Sequence, residues 1–268
     1  MKEAYIKKNK FNNIKSLVNE LVHGYGFKIA KVIPIKDFQK IKYFVKESFK
    51  ENFKIENDIS FEDIKNMHNN IDWERNRPPL TVEDRTLKRE FALELYKQKW
   101  LEEICRLLNY KALDDWNLGY PSFTWRITRP NRKEDFRPVH RDVWFRLCNG
   151  EKRIIDNQKS IEIQTIKLWI SLHSVPGKSG LLVAPNSHKK ELPGFTRVQQ
   201  DGFIKPYINK DELTNIETYC LNTEPGDTVF FGEKLLHGGA PNLSNTCRIS
   251  LEICLCPLTY KPLSHIKV

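Results

Sequence analysis

The sequence predicts an α+β fold in which a helical N-terminal part precedes a β-rich core. Through the first 109 residues apolar side chains recur at helical spacing, whereas after Asn109 they alternate along short runs separated by turn residues. Helices first and many strands afterwards are typical of an α+β chain whose second half is a sandwich or barrel. We expect one domain over residues 1–268, mainly helical over 1–118 and β-rich over 119–258.

Length and composition indicate a globular protein. With 268 residues, 40% of them hydrophobic, the chain can bury a substantial core. No apolar run approaches the roughly 18 residues of a membrane span, and the N-terminus lacks the apolar core of a secretory signal, so we expect a cytoplasmic protein. The six cysteines form no C-x-x-C pair, which favours reduced, buried thiols over disulfides or a zinc site.

The net charge of +10 raises the question of a nucleic-acid partner. Residues 1–54 hold 13 lysines against five acidic residues, but the lysines are scattered rather than gathered in one basic block. Aromatic residues there fall at core-like spacing and do not form a stacking platform. A solvated lysine-rich face is therefore expected, and nucleic acid is not an expected partner.

The first half of the helical part is read as three elements. Residues 1–26 predict a helix or helix pair, and residues 31–35 a short strand. Asp37 can then cap a second helix. Its inward stripe comprises five apolar residues: Phe38, Ile41, Phe44, Val45 and Phe49.

Two capping patterns mark the remaining helices. Ser60 with Asp63 resembles a capping box that opens a short helix. Thr81 with Asp84 has the same spacing and is expected to cap the longest helix, residues 82–109.

The β-rich part is divided by turn signals. The expected strands are residues 122–129, 138–145, 164–172, 181–184, 228–231 and 247–256. Residues 189–216 read as a long, basic loop, which in a β domain is typical of a lid or binding loop.

His140 and Asp142 stand one position apart in the run 138–145. On an extended strand they share a face, with α-carbons roughly 6.5 Å apart, so an imidazole nitrogen and a carboxylate oxygen can meet on one cation. His237 offers a third ligand. Two histidines and one carboxylate leave coordination positions open, as in non-heme Fe(II) oxygenases. The alternative is a surface or hydrogen-bonded core pair, which a short motif does not exclude.

Arg248 and Ser250 share one face of the last strand. A guanidinium fork and a hydroxyl are well matched to a carboxylate. The alternative is a surface ion pair, but Ile249 and Leu251 place the arginine in a strand with little polar surface.

The order of these motifs resembles the phytanoyl-CoA dioxygenase-like branch of the Fe(II)/2-oxoglutarate-dependent oxygenases. The resemblance covers roughly residues 120–256. It rests on His-x-Asp, a Trp-bearing strand, Gly-Leu-Leu-Val-Ala-Pro-Asn-Ser-His, Pro-Gly-Asp-Thr-Val-Phe-Phe, a later His and Arg-x-Ser, in that order. It implies a double-stranded β-helix (jelly roll) core with flanking N-terminal helices.

The resemblance also implies functional residues. Those implied to hold iron are His140, Asp142 and His237, and those implied to hold 2-oxoglutarate are Arg248, Ser250 and Thr128. The cofactor and cosubstrates would be Fe(II), 2-oxoglutarate and O2. Asp142 supplies a carboxylate where halogenases of the family have a small residue, which favours a hydroxylase.

One motif departs from the family pattern. The usual Pro-Gly-Ser-His reads Pro185-Asn186-Ser187-His188 in this chain. Because Asn also tolerates a left-handed turn, the departure leaves the resemblance intact. His188 and His173 are interpreted as structural residues.

The substrate is less defined by the sequence. Arg126 shares a strand face with Thr124 and Thr128, so we expect it to face the cavity, and Trp144 either lines the pocket or lies in the core. Nearby basic residues favour a small anionic metabolite, such as a phosphorylated, phosphonate or carboxylated compound. The alternatives are an oxygenase acting on a macromolecule and a non-catalytic jelly-roll binding protein.

Overall fold

The computed structural model confirms a mixed architecture of helices and antiparallel sheets. It describes residues 14–70, 72–73, 81–82, 84–116, 118–135, 137–148, 165–192, 195–198 and 204–260. Part of the helix expected over residues 1–26 therefore lies outside the described residues.

The described residues form short helices and strands. The helices are α1 (Ile14–Val22), α2 (Ile35–Asn52), α3 (Phe61–Lys65), α4 (Arg89–Tyr96), α5 (Lys99–Leu108), α6 (Asp142–Cys148) and α7 (Lys210–Thr214). The strands are β1 (Phe27–Ala30), β2 (Tyr110–Ala112), β3 (Phe123–Thr128), β4 (Ile166–His173), β5 (Leu181–Val183), β6 (Phe195–Val198), β7 (Ile204–Tyr207), β8 (Tyr219–Cys220), β9 (Thr228–Gly232), β10 (His237–Gly239) and β11 (Arg248–Pro257).

The strands form a larger and a smaller sheet, together with a hairpin. The larger sheet has the order β1-β9-β4-β11-β2, and β3 also pairs with β11. The smaller sheet has the order β10-β5-β8, and β6 pairs with β7. All of these pairings are antiparallel. Strands β1 and β2, from the first 118 residues, thus complete the larger sheet.

One face of the larger sheet packs on the N-terminal helices. The predicted stripe of α2 is buried and meets the odd-numbered side chains of β11 in one cluster. Trp125 of β3 is fully buried in this cluster. Each such side chain stabilises the fold by about 1.5–3 kcal/mol, so this layer holds the helices against the sheet.

The opposite face of the larger sheet looks toward the smaller sheet. Because side chains alternate along a strand, β11 presents Arg248, Ser250 and Glu252 on this side. An apolar cluster that includes Phe27, Trp169 and Val183 closes one end of the space between the sheets. A partly polar cavity adjoins this cluster, and Trp169, Leu181 and Phe231 belong to both.

Two expectations for the N-terminal part are wrong in position. The strand lies at Phe27–Ala30 instead of 31–35, since Ile35 already begins α2. Asp37 lies in the first turn of that helix and does not cap it, because the preceding Pro34 occupies the N-cap. The Ser60–Asp63 capping box of α3 is confirmed.

The single helix expected over residues 82–109 is also wrong. Thr81 and Asp84 do exchange capping hydrogen bonds, but they close a turn. The chain then pairs with β3, where Trp125 N–H donates to the Arg85 carbonyl at 2.8 Å. Helices α4 and α5 follow separately, because sheet pairing competes with the helical periodicity here.

Two segments of the β-rich part differ from expectation as well. Residues 138–145 are not one strand: His140 forms an isolated bridge, and Asp142 begins α6. The segment 189–216 is not a structureless loop, because it contains β6, β7 and α7. A carboxylate in the first turn of a helix is favourable, which is consistent with α6 beginning at Asp142.

The cysteine prediction agrees with the described side chains. Cys105, Cys220, Cys247, Cys254 and Cys256 are free and buried. The side chain of Cys148 lies outside the described part. Within that part, every helix is too short or too polar to cross a membrane.

Candidate metal centre and cosubstrate site

His140 and His237 are held together by their backbones. His140 N–H donates to the His237 carbonyl at 2.9 Å, and His237 N–H donates back to the His140 carbonyl at 3.0 Å. Leu236, the neighbour of His237, donates its N–H to Ser187 Oγ at 2.8 Å. Residues 97 positions apart in the chain are thereby paired, and Asp142 follows at the start of α6.

The three predicted metal ligands converge. One ligand atom from each of His140, Asp142 and His237 lies within 4.8 Å of the other two. Asp142 Oδ1 lies 3.6 Å from Nε2 of each histidine. Two imidazoles and a carboxylate in this arrangement match a divalent metal site with open positions.

Backbone carbonyls determine which imidazole nitrogens face the centre. His140 Nδ1 lies 2.8 Å from the Pro138 carbonyl oxygen, and His237 Nδ1 lies 3.0 Å from that of Leu235. Each Nδ1 therefore carries the proton, because a carbonyl only accepts. The Nε2 lone pairs are left to face Asp142, as metal ligation requires.

Electrostatics also favours metal binding. Burial lowers the pKa of His237 to about 4, so this imidazole is neutral near pH 7. Burial opposes the ionisation of Asp142, but Lys167 and the two histidines outweigh it and hold the pKa of this carboxyl well below its ordinary value. A neutral His237 imidazole and an ionised Asp142 carboxylate, with Nε2 of His140 beside them, fit an Fe(II) ion.

Arg248 and Thr128 form the predicted second part of the site. They are directly paired across β11 and β3. Arg248 donates from Nη2 to Thr128 Oγ1 at 2.7 Å and from Nη1 to the Gly180 carbonyl at 2.8 Å. Both acceptors are neutral, and Arg248 is only 3% exposed. Burial lowers the pKa of Arg248 to about 10, which leaves it charged near neutral pH.

The surroundings of Arg248 lack a counterion. Among the described residues no carboxylate forms an ion pair with it, and its Nε has no hydrogen-bond partner. Ser250 Oγ, on the same face of β11, is fully buried and also unpartnered. A buried, uncompensated guanidinium beside a free hydroxyl fits the distal carboxylate of 2-oxoglutarate.

Both parts of the site are near one cavity between the sheets. It has an empty volume of about 780 Å3, open mouth included, and His140, Asp142, His237 and Arg248 all line it. Arg126 lines it too, as expected, but donates from Nε to Glu252 Oε1 at 2.6 Å. Its charge is therefore already compensated.

Trp144 does not line this cavity. Its side chain packs in an apolar cluster with Val139, Val143 and Leu236, which is the core position that the sequence left open. Arg141 lies over its ring at 5.5 Å from the centroid. Trp144 thus supports the segment that carries His140 and Asp142.

His173 and His188 lie outside the metal cluster, as interpreted from the sequence. His173 Nε2 lies 3.0 Å from Thr246 Oγ1, and His188 Nε2 lies 3.1 Å from the Val22 carbonyl. Asn186 adopts the expected left-handed conformation, with φ of 63°.

Five charged residues of the cavity were missed in the sequence. They are Asp115, Asp135, Arg137, Lys167 and Glu252. Lys167 and Glu252 could have been found. Lys167 is the one residue of β4 that is Lys, Arg, Asp or Glu, and Glu252 continues the face of β11 that carries Arg248 and Ser250. Arg137 has no such signal.

The family model for phytanoyl-CoA dioxygenase (PhyH) matches residues 37–250, most of the chain. This chain belongs to the PhyH family. PhyH-like 2-oxoglutarate-dependent oxygenases use Fe(II), 2-oxoglutarate and O2, and the chain supplies the His-Asp-His triad for the metal. No curated protein matches the sequence significantly.

Solved structures support the fold at low sequence identity. AviO1 from Streptomyces viridochromogenes Tue57 is 16% identical with a TM-score of 0.57, and the match covers 95% of this chain and 99% of AviO1. EvdMO1 is 18% identical with a TM-score of 0.54, covering 87% of this chain and 48% of EvdMO1. SnoK, a non-heme α-ketoglutarate-dependent carbocyclase from nogalamycin biosynthesis, is 14% identical with a TM-score of 0.51. The match covers 91% of this chain and 84% of SnoK.

Proposed function

We propose that this PhyH-family protein is an Fe(II)/2-oxoglutarate-dependent dioxygenase that hydroxylates a C–H bond of a small metabolite. The observation that carries the proposal is the convergence of His140, Asp142 and His237 on one cavity wall. Arg248 lies in the same cavity, and no carboxylate of the described residues forms an ion pair with it. This chemistry needs a set of metal ligands and a residue that binds the carboxylate of the cosubstrate.

The metal ligands have defined tasks in this proposal. Nε2 of His140, Nε2 of His237 and Oδ1 of Asp142 would hold Fe(II). When bound there, iron with 2-oxoglutarate and O2 supplies the oxidising chemistry that yields succinate, carbon dioxide and an oxidised substrate. The carboxylate of Asp142 completes the protein ligand set, which supports hydroxylation over halogenation.

The cosubstrate would be oriented by the far side of the cavity. Arg248 would bind the distal carboxylate of 2-oxoglutarate, with Ser250 Oγ as a second donor. Thr128 would orient the guanidinium through the Nη2 hydrogen bond. Held in this way, the cosubstrate would point its other end at the metal and keep water from that position.

Arg126 would have an indirect part in substrate binding. Its Nε is bound to Glu252, so the pair would present one fixed guanidinium edge to the cavity. The proposal for Trp144 as a substrate residue receives no support from its position in the core.

We also infer that the two facing sheets form a double-stranded β-helix in a single domain over residues 1–268. Antiparallel pairing, two sheets around the metal site and the structural neighbours support the jelly roll. One cluster that joins residues from the N-terminal helices to β3, β4 and β11 supports a single domain.

The function is tested by measuring succinate formed from 2-oxoglutarate under air. Wild-type protein supplied with Fe(II) should form succinate slowly without substrate and faster with a stimulating compound from a metabolite library. His140→Ala should abolish both rates, whereas His23→Ala, at an exposed histidine, should leave them unchanged. Undiminished consumption of 2-oxoglutarate by His140→Ala would refute the proposed function, and a wild type without any consumption would support a binding protein.

A further inference from the structure

Three of the four carboxylates that line the cavity already have a cationic partner. Arg126 pairs with Glu252 at 2.6 Å, and Lys167 lies 3.6 Å from Asp142. A third ion pair joins Asp135, which lines the cavity, to the neighbouring Arg129. Asp115, also in the lining, takes part in an interaction of its own.

Apart from Arg248, Arg137 is the arginine in the cavity lining that takes part in none of these ion pairs. Its guanidinium forms no ion pair and no hydrogen bond with any described residue, and it lies 5.7 Å from the ring centroid of Phe145. Its backbone carbonyl accepts the Gly239 N–H at 3.2 Å, which fixes the residue beside β10 and the metal ligand His237. Arg137 therefore lies at the metal-binding side of the cavity with its donors unused.

A second positive charge lies close to Arg137. The charge of Arg126, followed by burial, lowers the pKa of Arg137 to about 9, although Glu252 and Asp142 oppose the shift. Near neutral pH the Arg137 guanidinium therefore remains charged. Two guanidiniums line one cavity, and Glu252 forms an ion pair with Arg126 alone. They attract a further anion, because Coulomb interactions are strong in a largely buried site.

We propose that Arg137, with Arg126 beside it, forms an anion-binding subsite for a carboxylate or phosphate group of the primary substrate. This inference rests on the proposed oxygenase function and specifies its substrate class. The subsite lies in the same cavity as the metal ligands, so an anion bound there would place the rest of the substrate near the metal.

The near carboxylate of 2-oxoglutarate is the other anion that would be attracted to Arg137. It would reach the metal end of the cavity when Arg248 holds the distal carboxylate. A role for Arg137 in binding the cosubstrate predicts a change in the KM for 2-oxoglutarate, whereas a role in binding the primary substrate predicts a change in the KM for that compound only. The two sources are therefore separable by kinetics.

The first experiment compares anionic metabolites with neutral counterparts. Carboxylated and phosphorylated compounds are screened beside their amides and dephosphorylated forms for stimulation of succinate formation. We expect the stimulating compounds to be anionic, and Arg137→Gln to raise their KM by about tenfold or more, the loss expected for a charge-assisted hydrogen bond. The KM for 2-oxoglutarate should stay within about twofold of the wild-type value, since Arg248 still holds it.

The matched control is Arg132→Gln, at an exposed arginine of the same segment. It should change neither KM. Equal stimulation by neutral compounds, or a rise in the KM for 2-oxoglutarate alone, would overturn the subsite. Slow succinate formation without substrate is measured in the wild type and in Arg132→Gln. Its absence from both would mark failure of the proposed function, whereas its presence together with an unchanged substrate KM in Arg137→Gln would mark failure of the subsite alone.

The second experiment needs no turnover and no known substrate. Metal-free protein is titrated with inorganic phosphate at constant ionic strength, and binding is measured by calorimetry. We expect Arg137→Gln to weaken phosphate binding by about tenfold or more, and Arg132→Gln to leave it unchanged. Absence of phosphate binding to the wild type, or a loss in Arg248→Lys without one in Arg137→Gln, contradicts the proposal.

Discussion

Nζ of Lys167 lies 3.6 Å from Oδ2 of Asp142, while Oδ1 of the same carboxylate faces the imidazoles of His140 and His237. The two oxygens of one carboxylate therefore have different partners. Burial lowers the pKa of Lys167, but the carboxylate of Asp142 and further anionic neighbours outweigh it and raise this pKa above its ordinary value. The charged ammonium thus holds Oδ2 and leaves Oδ1 for the metal.

Lys167→Met should impair the orientation of Asp142. We expect consumption of 2-oxoglutarate to fall by about 10–100-fold, the usual effect of removing a partner of a metal ligand. Mn(II) titration should show altered metal affinity. Lys167→Arg should recover part of both quantities because it restores the charge. Lys178→Met, at an exposed lysine, serves as the control, and wild-type metal affinity in Lys167→Met would contradict the role.

Arg248→Lys should weaken cosubstrate binding. A lysine keeps the charge but loses the fork that donates to Thr128 and Gly180. We expect the KM for 2-oxoglutarate to rise by about tenfold, and a smaller rise in Thr128→Val. Metal affinity, measured by Mn(II) titration, should not change in either variant. Arg106→Lys at an exposed position is the control, and an unchanged KM in Arg248→Lys refutes the assignment.

A metal bound by the three ligands should stabilise the folded protein. Mn(II) at about 100 times its dissociation constant should raise the free energy of unfolding by about 2.7 kcal/mol. Asp142→Asn and His237→Gln should lose this gain, and a chelator should reverse it in the wild type. Chemical denaturation with and without metal measures the effect. His23→Gln should retain the full gain, and stabilisation that persists in Asp142→Asn would place the metal elsewhere.

His173 predicts a pH dependence of stability in the metal-free protein. Burial lowers the pKa of His173 to about 4, from 6.5 for the free side chain. Between these values the unfolded chain binds a proton that the folded protein does not, so this contribution is complete above pH 6.5 and is lost as pH falls toward 4. Between pH 7 and pH 5, the free energy of unfolding measured by chemical denaturation should fall less in His173→Gln than in the wild type. Equal slopes would contradict the lowered pKa.

Gly26 and Gly226 offer a matched test of crowding. Both have positive φ, 90° and 89°, so alanine is strained at either position, at a cost of about 1 kcal/mol or more. A Cβ at Gly26 would also overlap His188 Nδ1, whereas a Cβ at Gly226 meets nothing within 4 Å. Gly26→Ala should therefore lower the free energy of unfolding more than Gly226→Ala in denaturation experiments. Equal losses would mean that His188 moves without cost.

Strand alternation explains why much of the site could be predicted. Side chains two positions apart share a face, so Arg248 and Ser250 were expected together, as were Arg126 and Thr128, and the structure has both pairs on the cavity side. His140 and Asp142 converge as expected, although Asp142 belongs to a helix. The first turn of α6 brings the carboxylate to the two imidazoles.

The errors arise where a distant segment competes with local periodicity. The helix expected over residues 82–109 is interrupted because its first residues pair with β3, about 40 positions further on. The basic segment 189–216 forms a hairpin and a helix, which its composition did not indicate. The pairing with β3 is not visible from residues 82–109 alone, and the hairpin is not visible from the basic composition of 189–216.

Residue types and their order were sufficient to infer the α+β class, the family resemblance, the cluster of His140, Asp142 and His237, and the position of Arg248 on the cavity side of β11. They could not identify which charges compensate one another inside the cavity. Arg126 and Glu252 are 126 positions apart, and Lys167 and Asp142 belong to different elements. Such pairs depend on distances of a few ångströms between segments that only the packed sheets bring together. Only once they are known does it become evident that Arg137 has no ion-pair partner in the part of the chain that the structure describes.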